Sequence, residues 1–165
     1  MRDLSPIDWA VRPLKHYADF SGRAPRAEYW WYTLAMIIVT VIVTLVEGAL
    51  GLGGLIGPYG PLSLLLGLGL LLPGLAVSVR RLHDTDRSGW WLLLIVIPYV
   101  IFIVLAGGAV ASGSTAAMGG VGIIGGLVVL VCAIVLLVFY VQRGTVGANR
   151  YGPDPYGANA GEIIS

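Results

Sequence analysis

Charge is scarce in this chain, and the gaps between charges carry most of the information. Charged residues make up 12% of the 165 positions and hydrophobic residues 57%. A soluble domain carries about 25% charged residues, so a water-soluble globular fold is excluded. The net charge of +1 gives no basis for bulk nucleic-acid binding. Cysteine is nearly absent: Cys132 is the only one and lies in an apolar run, so no internal disulfide can form. No metal-ligand spacing surrounds it, and it reads as a small packing residue. The polar start is broken by Pro6, Pro13 and Pro25, and no small-residue cleavage site follows a short apolar core. The first hydrophobic segment is therefore expected to act as an uncleaved signal anchor.

The ten Lys and Arg residues fall into three polar stretches. The first holds Arg2, Arg12, Lys15, Arg23 and Arg26, the second Arg80, Arg81 and Arg87, and the third Arg143 and Arg150. The connections over roughly 51–61 and 107–120 hold none. Alternation of this kind predicts an all-α membrane protein with four transmembrane helices and both termini in the cytoplasm.

Three regions follow. Residues 1–28 form a cytoplasmic lead-in, residues 29–141 a four-helix transmembrane bundle, and residues 142–165 a cytoplasmic tail. Within the lead-in, Pro13 suits the first turn of a short helix through Phe20, with Leu14, Tyr17 and Ala18 on one face. It reads as an interfacial helix with Arg12 and Lys15 near lipid headgroups, or else as a disordered arm. The spans are expected at about 29–50, 62–79, 90–106 and 121–141. At about 1.5 Å per residue, a 22-residue first span measures roughly 33 Å, enough to cross a hydrocarbon core. Trp30, Trp31 and Tyr32 stand at its entrance, where amphipathic rings favour the interface. Glu47, near its far end, either reaches the outer headgroups or has an intramembrane role. Pro73 and Pro98 predict kinks in spans two and three, tolerable in lipid only where neighbours cover the freed carbonyls. The last ten residues are expected to be mobile. Trp pairs opening the odd spans and Arg closing the even ones suggest a duplicated hairpin, although positive-inside topology creates the same echo.

Gly120-x-Gly122-x-x-Gly125 matches a dinucleotide-binding string, but no strand precedes it and no acidic residue follows at the required distance. Gly122 and Gly126 read instead as a helix-contact face, as do Ser63/Gly67 and Gly74/Ser78, within one chain or between protomers. The polar segments hold the chemistry. His83 beside Asp84 could titrate near neutrality, yet no nucleophile or metal set accompanies it. A structural reading is available for the same loop: Ser88 or Asp86 caps span three, Asp84 pairs an Arg across the loop, and Glu28 pairs Arg80 or Arg81. After span four, Asn149 among glycines predicts a defined turn.

Three motifs in order carry a resemblance: Gly22-Arg23-Ala24-x-Arg26-x-Glu28-Tyr29-Trp30, then Arg80-Arg81-Leu82-His83-Asp84 running to Ser88-Gly89-Trp90-Trp91, then Asn149-Arg150-Tyr151-Gly152-Pro153-Asp154-Pro155. Together they resemble the bacterial inner-membrane family known as domain of unknown function 805, over about residues 10–155. The resemblance implies a small polytopic inner-membrane protein and no established activity. The expected site is one ordered cytoplasmic cap of Arg23, Arg26, Glu28, Trp30, Arg80, Arg81, His83, Asp84, Asn149 and Arg150. The leading expectation is a non-enzymatic scaffold or accessory subunit that needs no cofactor and binds a protein partner or anionic phospholipid there. A small oligomeric transporter with Glu47 as coupling site, and a headgroup-modifying enzyme using His83 and Asp84, are the alternatives.

Overall fold

The computed structural model describes residues 4–55 and 59–157. Arg2 and most of the expected mobile end lie outside the described residues. Five α-helices follow in order: α1 Pro6–Lys15, α2 Arg26–Ala49, α3 Pro61–Asp84, α4 Leu93–Ala111 and α5 Thr115–Val141. A 3₁₀ turn over Gly89–Leu92 leads into α4. Among the described residues there is no β-strand; an isolated bridge joins Asn149 and Gly152. Four segments are long and apolar enough to cross a membrane: α2, α3, the 3₁₀ turn with α4, and α5.

Helix α1 starts with a capping box. The Asp8 N–H donates to the Ser5 hydroxyl at 3.2 Å, and the Ser5 N–H donates to the Asp8 carboxylate at 3.1 Å. Pro6, and not Pro13, occupies its first turn, because Ser5 supplies the cap that Pro13 lacks. Trp9 and Pro13 are buried, while Ile7, Val11 and Leu14 form an exposed apolar stripe. Arg12 turns inward to Glu28 at 3.1 Å, an ion pair that ties α1 to the start of α2.

Helix α3 contains Pro73, which has no N–H for the Gly69 carbonyl. The Tyr17 hydroxyl, from the segment after α1, donates to that carbonyl at 2.6 Å. The lead-in thus supplies the hydrogen bond that proline removes. At its other end, α3 begins after Gly60 without a cap from its own flank. Glu47 of α2 provides one: its Oε1 accepts the N–H groups of Leu62 at 2.5 Å and Ser63 at 2.9 Å, and its Oε2 accepts the Ser63 hydroxyl. Glu47 is 2% exposed, which corrects both expectations for it. The carboxylate neither reaches for headgroups nor sits free in the membrane, because the orphan N–H groups of Leu62 and Ser63 at the helix start are stronger partners than lipid.

The α4–α5 connection also differs from the expected loop over 107–120. Both helices run into it, and the break is confined to Ser112–Ser114, where Gly113 takes φ +64° and Ser114 caps α5 through Ala117. Gly favours loops in water, but in lipid an unbonded backbone is the costlier option. In α5 the close contact is Gly125 against the Phe102 ring, whereas Gly122 and Gly126 face open space within this chain.

The molecule is built as two antiparallel hairpins, α2–α3 and α4–α5. They meet near the end that carries the lead-in and the segment after α5, around Leu82, Leu136 and Tyr140 with Tyr29 packed against them. A smaller cluster of Ala24, Tyr32 and Val77 joins α2 to α3 at the same end. From this cluster a groove of about 750 Å³ runs between α2 and α3, from Tyr32 and Val77 to Thr44 and Ser63.

Candidate functional site

The charged cap forms where the three polar segments converge on the inter-hairpin contact. Helix α3 ends there in an αL closure. The Arg87 N–H donates to Leu82 O at 2.9 Å, the Asp86 N–H to His83 O at 3.0 Å, and Asp86 takes φ +58°. Aspartate tolerates that conformation better than most side chains. The closure leaves Arg80, Arg81, His83 and Asp84 on the last turn, each facing a different neighbour.

Asp84 is the hub. Its carboxylate holds Arg23 at 3.0 Å and also Arg81 one turn before it, and its carbonyl accepts the Thr145 N–H at 2.9 Å. Arg23 reaches on to the carbonyls of Thr145 and Gly147, both at 2.6 Å. Arg81 donates to Tyr140 O at 3.1 Å and to Gln142 O, the carbonyls that end α5. Two guanidiniums, with side chains 1% and 0% exposed, therefore join the lead-in, the α3 end and the tail. Desolvation of such charges is tolerable only when their hydrogen bonds are made, and here backbone carbonyls complete the set. Gly144 is required for the approach: a Cβ there would collide with the Asp84 carboxylate.

A second ion group lies beside the first. Glu28 forms an ion pair with Arg80 at 2.8 Å and accepts a hydrogen bond from Arg12 Nε at 3.1 Å, and the Ala24 N–H donates to Arg80 O at 2.9 Å. The His83 ring stacks on Tyr151 with centroids 3.8 Å apart, and its Nδ1 lies 3.1 Å from Gly22 O. Asn149 donates from one amide to His83 O and Thr145 Oγ1, both at 2.9 Å. Arg150 pairs with Asp86 at 3.2 Å and covers Tyr151. Arg87 lies 4.0 Å from the Phe139 ring centroid.

Of the residues expected in the cap, Arg23, Glu28, Arg80, Arg81, His83, Asp84, Asn149 and Arg150 come together in these contacts. Arg26 is exposed and donates only to Val141 O, at 3.3 Å. Trp30 stands apart, edge-on to Tyr29 with centroids 5.3 Å apart. Ser88 makes no side-chain cap at the start of span three. Arg12, Asp86, Thr145 and Tyr151 were missed. Only Thr145 and Tyr151 had a usable signal, their place between the tail glycines.

A cleft of about 300 Å³ opens beside the hub, lined by Arg23, Arg26, Asp84, Arg143, Thr145, Asp154 and Tyr156 among others. Burial and the nearby Asp84 carboxylate raise the pKa of the Tyr156 phenol.

Fold and site together define a polytopic helical membrane protein whose polar segments fold into one ion-paired cap. The chain belongs to the family described as protein of unknown function DUF805, which it matches over residues 17–153. It is similar to the inner membrane protein YhaI of Escherichia coli K12, 40% identical over 154 residues that cover 93% of this chain and 100% of the relative. It is likewise similar to the inner membrane protein YhaH of the same strain, 39% identical over 149 residues, 90% of this chain and 97% of the relative. No solved structure matches the chain.

Proposed function

We propose that the protein is a non-enzymatic scaffold or accessory subunit of the bacterial inner membrane, with both termini and the cap in the cytoplasm. The cap presents a preformed surface to a membrane-protein partner or to anionic lipid. The carrying observation is that Arg23, Arg81 and Asp84 are spent on internal bonds linking three distant segments. Such a network holds a surface in one shape, which lowers the ordering cost of binding.

Orientation follows from charge: the described Lys and Arg gather at the cap end, and the opposite connections carry none. The names of the relatives agree with an inner-membrane location. The exposed stripe of Ile7, Val11 and Leu14 suits α1 to lie in the interface, apolar face toward lipid. Two observations weigh against the alternatives. The Asp84 carboxylate faces arginines while His83 faces Gly22 and Tyr151, so the two do not form an acid–base pair. Glu47, the candidate coupling group for transport, caps α3.

The test is native mass spectrometry of protein gently extracted from its own membrane, with Arg150→Glu in parallel. Arg150 is exposed and its ion pair is of the kind worth about 0–1 kcal/mol, so the fold survives. A co-purifying protein or lipid mass weakened by the variant supports the reading. A bare protein in both samples contradicts it. Carboxy-terminal reporter fusions check the orientation: a cytoplasmic signal is expected and a periplasmic one overturns it.

A further inference from the structure

We infer that the cleft between the start of α2 and the end of α5 is a binding site for a phosphate anion, as carried by an acidic phospholipid headgroup. The inference deepens the proposed function, since it assigns a ligand class and particular residues to the cytoplasmic cap.

The argument is one of charge left over. Three arginines and two aspartates line the cleft. Arg23 is used up by Asp84 and by tail carbonyls, and Asp84 is balanced by Arg23 and Arg81. Asp154 is committed to its own turn: its carboxylate accepts the Gly147 N–H at 3.1 Å and the Tyr156 N–H at 2.9 Å. Two cations remain. Arg26 makes a single long bond through one nitrogen, and Arg143 makes no hydrogen bond or ion pair among the described residues. They come from helix ends 117 positions apart in sequence (143 minus 26), brought to one opening by the hub. A planar guanidinium with free N–H groups matches phosphate oxygens in pairs.

Position selects the ligand. Arg26 opens α2 and Arg143 follows the last residues of α5, so the cleft lies where two apolar helices leave the hydrocarbon, the depth of lipid phosphates. Basic pockets between spans on the cytoplasmic side suit acidic headgroups. A volume of about 300 Å³ is at the small end for ligand pockets, enough for a phosphate and a polar substituent but not for acyl chains. A soluble phosphorylated compound offers the same chemistry, and the experiment separates the two sources.

The protein is reconstituted in nanodiscs of phosphatidylethanolamine with a minor share of phosphatidylglycerol, as wild type, Arg143→Gln and Arg143→Lys. Native mass spectrometry reads the lipid retained, and melting with added inorganic phosphate reads soluble binding. Phosphatidylglycerol is expected to be retained over phosphatidylethanolamine, about fivefold less in Arg143→Gln, and restored in part by Arg143→Lys. Stabilisation by inorganic phosphate that is lost in Arg143→Gln, without lipid selectivity, supports the phosphate site with a soluble source. Equal lipid retention in all variants together with no response to phosphate overturns the inference. Arg143 is exposed, and the lysine variant separates loss of charge from loss of fold. A protein partner retained by all three variants and lost in Arg150→Glu leaves the proposed function standing when the phosphate site fails.

Discussion

The far end of the α2–α3 hairpin buries one carboxylate, Glu47, and the cap end buries two, Glu28 and Asp84; Glu47 and Asp84 do different work. At the hairpin end, Glu47 closes one helix start inside one hairpin. At the cap end, Asp84 with Arg23 and Arg81 joins the lead-in, both hairpins and the tail. Each carboxylate also leans on a glycine, Gly60 or Gly144, where a Cβ would strike it. The lesson is that local capping demands one acceptor and two neighbouring donors, whereas long-range tying demands guanidiniums that reach several carbonyls at once. In lipid, where apolar helices gain little from burying one another, such polar ties decide which helices stay together.

The strongest way to break the comparison is at Arg81. Arg81→Ala leaves Asp84 with one partner and strips the α5 end of its donor. A loss of ~3–5 kcal/mol is expected, as for other buried pairs missing one member. Thermal melting in nanodiscs checks it, and Glu47→Gln is expected to shift the midpoint less. The reverse order would make the hairpin end the stronger anchor. Next in size, Gly144→Ala should cost ~1–3 kcal/mol by overpacking. It should exceed Gly60→Ala, because the short Asp84 side chain is pinned by two arginines and the longer Glu47 can swing aside.

A smaller effect sharpens the role of the lead-in. Tyr17→Phe removes the donor to Gly69 O and should cost ~1 kcal/mol. In a Pro73→Ala background the helix regains its own N–H for that carbonyl, so the same change should cost less. Equal costs in the two backgrounds would separate Tyr17 from the proline.

The smallest effect concerns α1 and pH. Hydrogen bonds from the Ser5 hydroxyl and N–H hold the Asp8 carboxylate below its usual range. A depressed acid contributes stability above its unfolded pKa and loses it as pH falls through the folded pKa. Amide protection at the start of α1, taken relative to the intrinsic exchange rate at each pH, should therefore fall in acid, and Ser5→Ala should flatten that dependence.

The four long helices were legible because hydropathic length and charge gaps point to them independently. Their ends were not: Gly107, Gly108, Gly119 and Gly120 look like loop in any aqueous reading and are helical here. The cap was legible as a gathering, because its motifs sit in the segments that charge sidedness places on one side. Its pairings were not. Nothing in the spacing tells Asp84 to choose Arg23 over His83, or Arg12 to pair with Glu28, since both depend on how the lead-in packs across α2 and α3. Glu47 was misread for a related reason. An acid near the end of one helix facing a Gly60-Pro61-Leu62-Ser63 start that lacks its own acceptor is a capping signal, but only once the hairpin is closed.

The central claim is that the three polar segments form one folded cap, and backbone amide exchange in nanodiscs tests it most directly. The Ala24 and Thr145 amides, which donate to Arg80 and Asp84 carbonyls, should exchange slowly in the wild type. Both should lose protection together in Asp84→Asn, while α4 is unchanged. Fast exchange of residues 22–26 and 143–152 in the wild type, or loss in one segment alone, would contradict a single cap.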